Sequence, residues 1–124
     1  MKKIGLLSDT HGHLPVKAHS FFAECDEIWH AGDIGDLETA KALASLKPLK
    51  AVYGNIDGTG IRSFYPLYQE FTCEKVKVLI IHIGGYPGKY SKEARELISR
   101  LKPKLFISGH SHILKVMNDP KNGL

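Results

Sequence analysis

Asp, Asn and His recur along this chain in short polar clusters, each at the end of an apolar run: Asp9-Thr10-His11-Gly12, Gly32-Asp33, Gly54-Asn55-Ile56-Asp57, His82 and Gly109-His110-Ser111-His112. His offers nitrogen, Asp and Asn offer oxygen, and no Cys lies among them, so the donor set suits hard or borderline divalent cations. It suits a pair of ions better than a single one. Two cations about 3.5–4 Å apart repel each other unless a carboxylate is shared between them. Asp33 is the best-placed residue for that role. Asp9 and His11, two residues apart, would project from one side of an extended segment, and His110 and His112 repeat the spacing.

Taken singly, a Gly-Asp or Gly-Asn pair is ordinary turn chemistry. The set matters because every cluster follows an apolar run, and in α/β sheets the loops at that edge converge on ligands. Other polar residues have plainer readings. His19 falls inside an expected helix and His13 in a solvent-facing loop, while His30 is read as orienting its neighbours and Asp36 as a helix cap. The segment Gly84-Gly85-Tyr86-Pro87-Gly88-Lys89 lacks a phosphate loop's first Gly, where Ile83 stands, and its magnesium-binding hydroxyl, where Tyr90 stands. No Gly-x-Ser-x-Gly elbow presents a serine nucleophile.

The elements that must position these clusters alternate. Residues 3–8 form a nearly continuous apolar run, expected as a strand buried on both faces, and residues 14–23 read as a helix with Pro15 in its first turn. Strands are expected at 27–30 and 49–53, with a helix between them that starts at Asp36 and stops at Pro48. Residues 58–67 read as a surface loop, and 69–73 with 76–81 as a hairpin turning at Glu74-Lys75. Ser91 caps a helix over 93–101, followed by a strand at 105–108 and a short one at 113–117. The turn composition of 118–123 has only Leu124 after it, so the chain is expected to stop before a return strand.

The remaining properties narrow the class. The chain has 124 residues, 43% hydrophobic and 24% charged, enough for one domain with a core. No apolar stretch approaches the ~20 residues of a membrane helix, and the apolar start breaks at Asp9, so a cytoplasmic protein is expected. Cys25 and Cys73 are too far apart for a Cys-x-x-Cys motif. The net charge of +4 comes from scattered Lys and Arg, which tolerates an anionic substrate and makes a nucleic-acid partner the weaker reading.

In this order, Asp-x-His, Gly-Asp, Gly-Asn-x-Asp, a lone His after a strand and Gly-His-Ser-His resemble the calcineurin-like metallophosphoesterases, most of all their small bacterial and archaeal phosphodiesterases. The resemblance runs from Lys3 to about Asn118. It implies an αββα sandwich of two mixed sheets, here a single domain over 1–124 lacking its last strands. It further implies one metal held by Asp9, His11, Asp33 and His112 and another by Asp33, Asn55, His82 and His110, with Asp57 orienting a metal-bound His. Two divalent ions are expected, manganese first, with nickel, magnesium, zinc or iron as alternatives. The implied reaction is hydrolysis of a small phosphodiester, with monoesters as a second class, by a hydroxide bridging the metals at a site where Asp33, Asn55 and Asp57 carry the catalysis. A non-catalytic scaffold on the same fold is the alternative, and an open sheet edge would invite pairing of copies. Two departures stand out: Ile56 replaces a His that many members carry, and His82 is followed by Ile83-Gly84 where His-Gly-His is usual.

Overall fold

The computed structural model describes residues 2–111 and 119–124. Its elements in chain order are β1 (Ile4–Leu7), α1 (Ala18–Phe22), β2 (Glu27–His30), α2 (Leu37–Leu46), β3 (Leu49–Ala51), α3 (Thr59–Phe64), β4 (Tyr68–Cys73), β5 (Val76–Ile81), α4 (Lys92–Leu101) and β6 (Leu105–Ile107), followed by a 3₁₀ turn at Pro120–Asn122. One sheet has the order β1-β2-β3 and is parallel throughout; the other, β4-β5-β6, is mixed, with β4 antiparallel and β6 parallel to β5.

Period-two alternation explains how the sheets stack. Val78 and Ile80 of β5 pack with Trp29 of β2 and with Ala31 and Val52, which directly follow β2 and β3, whereas Leu79 and Ile81 pack with Ala94, Leu97 and Ile98 of α4. Both faces of β5 are therefore buried from Val78 to Ile81, the stretch in which its sequence is a continuous apolar run. On the far side of the first sheet, Ile28 lies against Ala18 and Phe22 of α1 and Leu43 of α2. The layers are helix, sheet, sheet, helix, as the resemblance implies. Among the described residues no helix is long and apolar enough to cross a membrane, and both cysteines are free thiols.

Local chemistry sets the element ends. Asp36 caps α2 by accepting the Thr39 N–H at 2.8 Å, a bond that holds its carboxyl below the usual carboxylate range. Ser91 caps α4 in the same way through Ala94 N–H. The β4–β5 hairpin turns through Glu74 and Lys75, both in the left-handed region at φ 48° and 70°.

Several expectations need correcting. β1 is not buried on both faces: Leu6 is 51% exposed. The first helix covers only Ala18–Phe22, because Lys17 supplies no side-chain cap and Pro15 is spent in a turn whose carbonyl accepts Ala18 N–H. The expected loop at 58–67 contains α3, pinned by burial of Ile61 among Ile34, Ala40 and Ala51 and by Arg62 stacked over Tyr53. The expected strand at 113–117 lies outside the described residues. Beyond it the turn closes locally, with Asp119 and Leu124 exchanging backbone hydrogen bonds of 2.8 and 2.9 Å.

Candidate metal centre

The clusters after β1, β2, β3, β5 and β6 do meet. The loop leaving β1 runs beside the loop leaving β2 as a continuation of their parallel pairing: Asp9 N–H donates to Gly32 O at 2.9 Å, His11 N–H to Asp33 O at 3.0 Å, and Gly12 N–H to Ile34 O at 2.7 Å. Asp9, His11, Asp33 and His110 all sit in the left-handed region, at φ 57°, 51°, 58° and 70°. Non-glycine residues adopt this conformation at a cost of order 1–3 kcal/mol each, and such residues gather at functional sites. Asp9 and His11 are thus aimed by kinks, not by the alternation of an extended strand.

Two groups of ligand atoms result, each within 4.8 Å: Asp9, His11 and Asp33, and Asp33, His82 and His110. Asp33, only 2% exposed, belongs to both. Its Oδ2 lies 3.6 Å from His11 Nε2 and 3.2 Å from His82 Nε2, while its Oδ1 accepts Ile56 N–H at 3.0 Å. One carboxylate oxygen is held by backbone and the other faces imidazoles from both groups.

His82 gives the test of whether a cation fits. Its Nδ1 lies 2.8 Å from Ala31 O, and a carbonyl only accepts, so Nδ1 carries the proton. Nε2 is buried and has no hydrogen-bond partner among the described residues, yet faces Asp33 Oδ2 at 3.2 Å and Asp9 Oδ1 at 3.8 Å. A nitrogen lone pair facing two carboxylate oxygens is repulsive unless a cation lies among them. The donors fit a metal.

The surrounding residues fix the donors. Ser8 Oγ donates to Asp9 Oδ2 at 2.6 Å, and His110 N–H approaches the same oxygen at 3.3 Å. Asn55 Oδ1 lies 3.1 Å from His110 Nδ1, and the His110 ring meets His82 edge to face at 5.2 Å. Asn55 Oδ1 thus touches a donor of the second group. Asp57, 2% exposed, holds no histidine among the described residues: its carboxylate accepts Gly54 N–H at 2.8 Å, Ile34 N–H at 3.1 Å and Gly35 N–H at 2.8 Å, tying the Asp33 loop to the Asn55 loop. The two motif glycines Gly54 and Gly109 are places of close approach, where a Cβ would strike the Asp33 carboxylate and the Ser8 hydroxyl respectively. His112 lies outside the described residues.

His13 and His19 are exposed, in keeping with their plainer readings, and His30 is fully buried below the ligands. Ser8 and Thr10 were not assigned roles from sequence; their positions beside Asp9 and His11 are the only signal a sequence carries.

The profile of the calcineurin-like phosphoesterase superfamily domain matches residues 1–123. The chain belongs to this superfamily. A probable metallophosphoesterase of Methanothermobacter thermautotrophicus is 33% identical over 115 residues, which cover 88% of this chain and 66% of that protein. The chain thus spans just under two thirds of that relative's length. Among solved structures, vacuolar protein sorting 29 from Cryptosporidium parvum superposes with a TM-score of 0.77 at 18% identity, over 98% of this chain and 70% of that one. An archaeal phosphodiesterase does so with a TM-score of 0.69 at 26% identity, over 90% and 74%. As a member of this superfamily, the chain has the two-sheet architecture of these neighbours and a cluster of donors of the kind with which the family binds divalent metals.

Proposed function

We propose that this calcineurin-like phosphoesterase is a phosphodiesterase that uses two divalent cations, manganese by preference, on small phosphate diesters. The observation that carries the reading is the placement of Asp33 Oδ2 between His11 and His82, with Oδ1 already engaged by backbone. Asp9, His11, Asp33 and His112 would hold one ion and Asp33, Asn55, His82 and His110 the other. Bound there, the pair would draw phosphoryl oxygens in, bring the pKa of water down to about 7 and offset charge in an in-line displacement.

The chain's own residues supply the rest. Ser8 and the His110 N–H hold Asp9, Ala31 O fixes the His82 ring, Asn55 fixes that of His110, and Asp57 joins the loops that carry Asp33 and Asn55. Ile56, 47% exposed beside Asn55, has no proton to give to a departing alkoxide. That favours diesters of acidic alcohols, such as aryl esters, which leave without protonation. The similarity to an archaeal phosphodiesterase supports a diester as substrate.

The test is hydrolysis of a chromogenic aryl phosphodiester by metal-stripped protein, with and without manganese, beside Asp33→Asn. Manganese-dependent turnover that disappears in the variant is expected. Equal turnover in Asp33→Asn would overturn the shared-carboxylate assignment, and a folded, manganese-binding protein without turnover would make the chain a scaffold on this fold.

A further inference from the structure

Beneath the ligands, one fully buried imidazole joins the two loops that carry them. His30 Nδ1 accepts Gly32 N–H at 3.0 Å, and His30 Nε2 lies 3.0 Å from Thr10 Oγ1. The Thr10 hydroxyl donates its one proton to Ile34 O at 2.8 Å. It can therefore only accept from His30, which places the imidazole proton on Nε2. The result is an unbroken chain of donors from Gly32 N–H through His30 and Thr10 to Ile34 O.

The bonded residues bracket the ligands. Gly32 and Ile34 flank Asp33, and Thr10 is flanked by Asp9 and His11. We propose that His30 is a positioning residue of the metal centre, a neutral imidazole whose two nitrogens clamp the Asp9–His11 loop against the Asp33 loop and hold their left-handed kinks. This rests on the reading of Asp9, His11 and Asp33 as metal ligands. A doubly protonated ring would set a donor against Gly32 N–H and break the chain at its first link. Burial opposes that form too, pushing His30 down to about 4 against the pull of Asp57 and Asp9. Residues that orient ligands through hydrogen bonds typically matter by about 10–100-fold in metal affinity.

Cobalt(II) is the probe, because its d–d absorption reports ligand geometry directly. Metal-stripped wild type, His30→Leu, His30→Gln and Thr10→Val would be titrated with cobalt, with urea unfolding of each metal-free protein measured alongside. His30→Leu and Thr10→Val are expected to bind cobalt about 10–100-fold more weakly, with an altered d–d band. His30→Gln, whose amide can donate to Thr10, is expected to bind more tightly than His30→Leu and to recover the wild-type band in part. If folded His30→Leu binds cobalt with wild-type affinity and spectrum, whatever its unfolding midpoint, the residue only packs and the proposal fails. Should His30→Leu not fold, wild-type affinity and spectrum in both Thr10→Val and His30→Gln would overturn it equally. Wild type that binds no cobalt would instead remove the metal centre itself, and this inference with it.

Discussion

Asp57→Asn is the sharpest perturbation, since it changes charge and one donor while keeping shape. The carboxylate is buried and accepts three backbone N–H groups, those of Gly54 and Ile34 on Oδ2 and that of Gly35 on Oδ1. An asparagine keeps two of these by placing its carbonyl at Oδ2, and its NH₂ group then faces Gly35 N–H, donor to donor. Hydrogen bonds to a charged acceptor contribute about 1.5–3 kcal/mol and neutral ones about 1, so weakening two and losing one at the low end costs roughly 2.5–5.5 kcal/mol. The lost bond sits at the low end of that range because Gly35 is reached by water. At about 2.1 cal/mol/K of unfolding entropy per residue, a chain of 124 residues loses about 4 °C per kcal/mol, which gives a fall in Tm of roughly 10–20 °C. Thermal unfolding of metal-free protein, followed through the fluorescence of buried Trp29, measures it. Asp57→Ala, which leaves all three N–H groups without their acceptor, should fall further. A Tm for Asp57→Asn within about 2 °C of wild type would refute the account of Asp57 as the tie between the ligand loops.

Gly54→Ala should drive its methyl group into the Asp33 carboxylate, costing about 1–3 kcal/mol by overpacking and weakening cobalt binding; calorimetry and titration check both. The stability of metal-free protein should fall between pH 6.5 and 4 through His30, which faces Asp57, Asp9 and His82. Its pKa is 6.5 when unfolded and about 4 when folded, so the unfolded chain binds the extra proton in that window and stability rises with pH across it. The contribution is complete above pH 6.5 and reaches roughly 3 kcal/mol, and urea midpoints for wild type and His30→Gln should converge as pH drops. Tyr90→Phe removes the hydroxyl that donates to Asp119 Oδ2 at 2.6 Å, and amide exchange at Asp119 and Leu124 should speed up severalfold by NMR. In wild type, burial and then Asp119 push that phenol up to about 12, so the contact should persist through mild alkali.

What could be read from sequence follows from where the deciding force acts. The β2, β5 and α4 segments carry their signals locally, in apolar runs and in Ser91 with its helical repeat, and they appear where expected. Helix α3 does not, since Gly58 and Gly60 argue for a loop and the segment is helical because Ile61 and Arg62 find partners distant in sequence. The convergence of Asp9, His11, Asp33, His82 and His110 was legible from their place at the ends of apolar runs, because parallel strands deliver those ends to one edge. The partners of Asp57 and the link between His30 and Thr10 were not. Each depends on backbone amides or hydroxyls brought together by left-handed kinks, and residue type alone does not announce a kink at Asp or His.

The three rungs that join residues 9, 11 and 12 to residues 32, 33 and 34 make this corner of the molecule a device of fixed length. A changed side chain on either loop leaves the rungs in place, because they are made by main-chain atoms. One residue added or removed between Ser8 and Gly12 shifts every rung, turns Asp9 and His11 away from Asp33 and dismantles both donor groups through the carboxylate they share. For protein engineers, these loops are closed to any change in spacing and to a side chain at Gly32 or Gly35, whose Cβ would strike His82 or the Gly12 backbone, and a designed transfer of the centre to another parallel sheet would have to move both loops together.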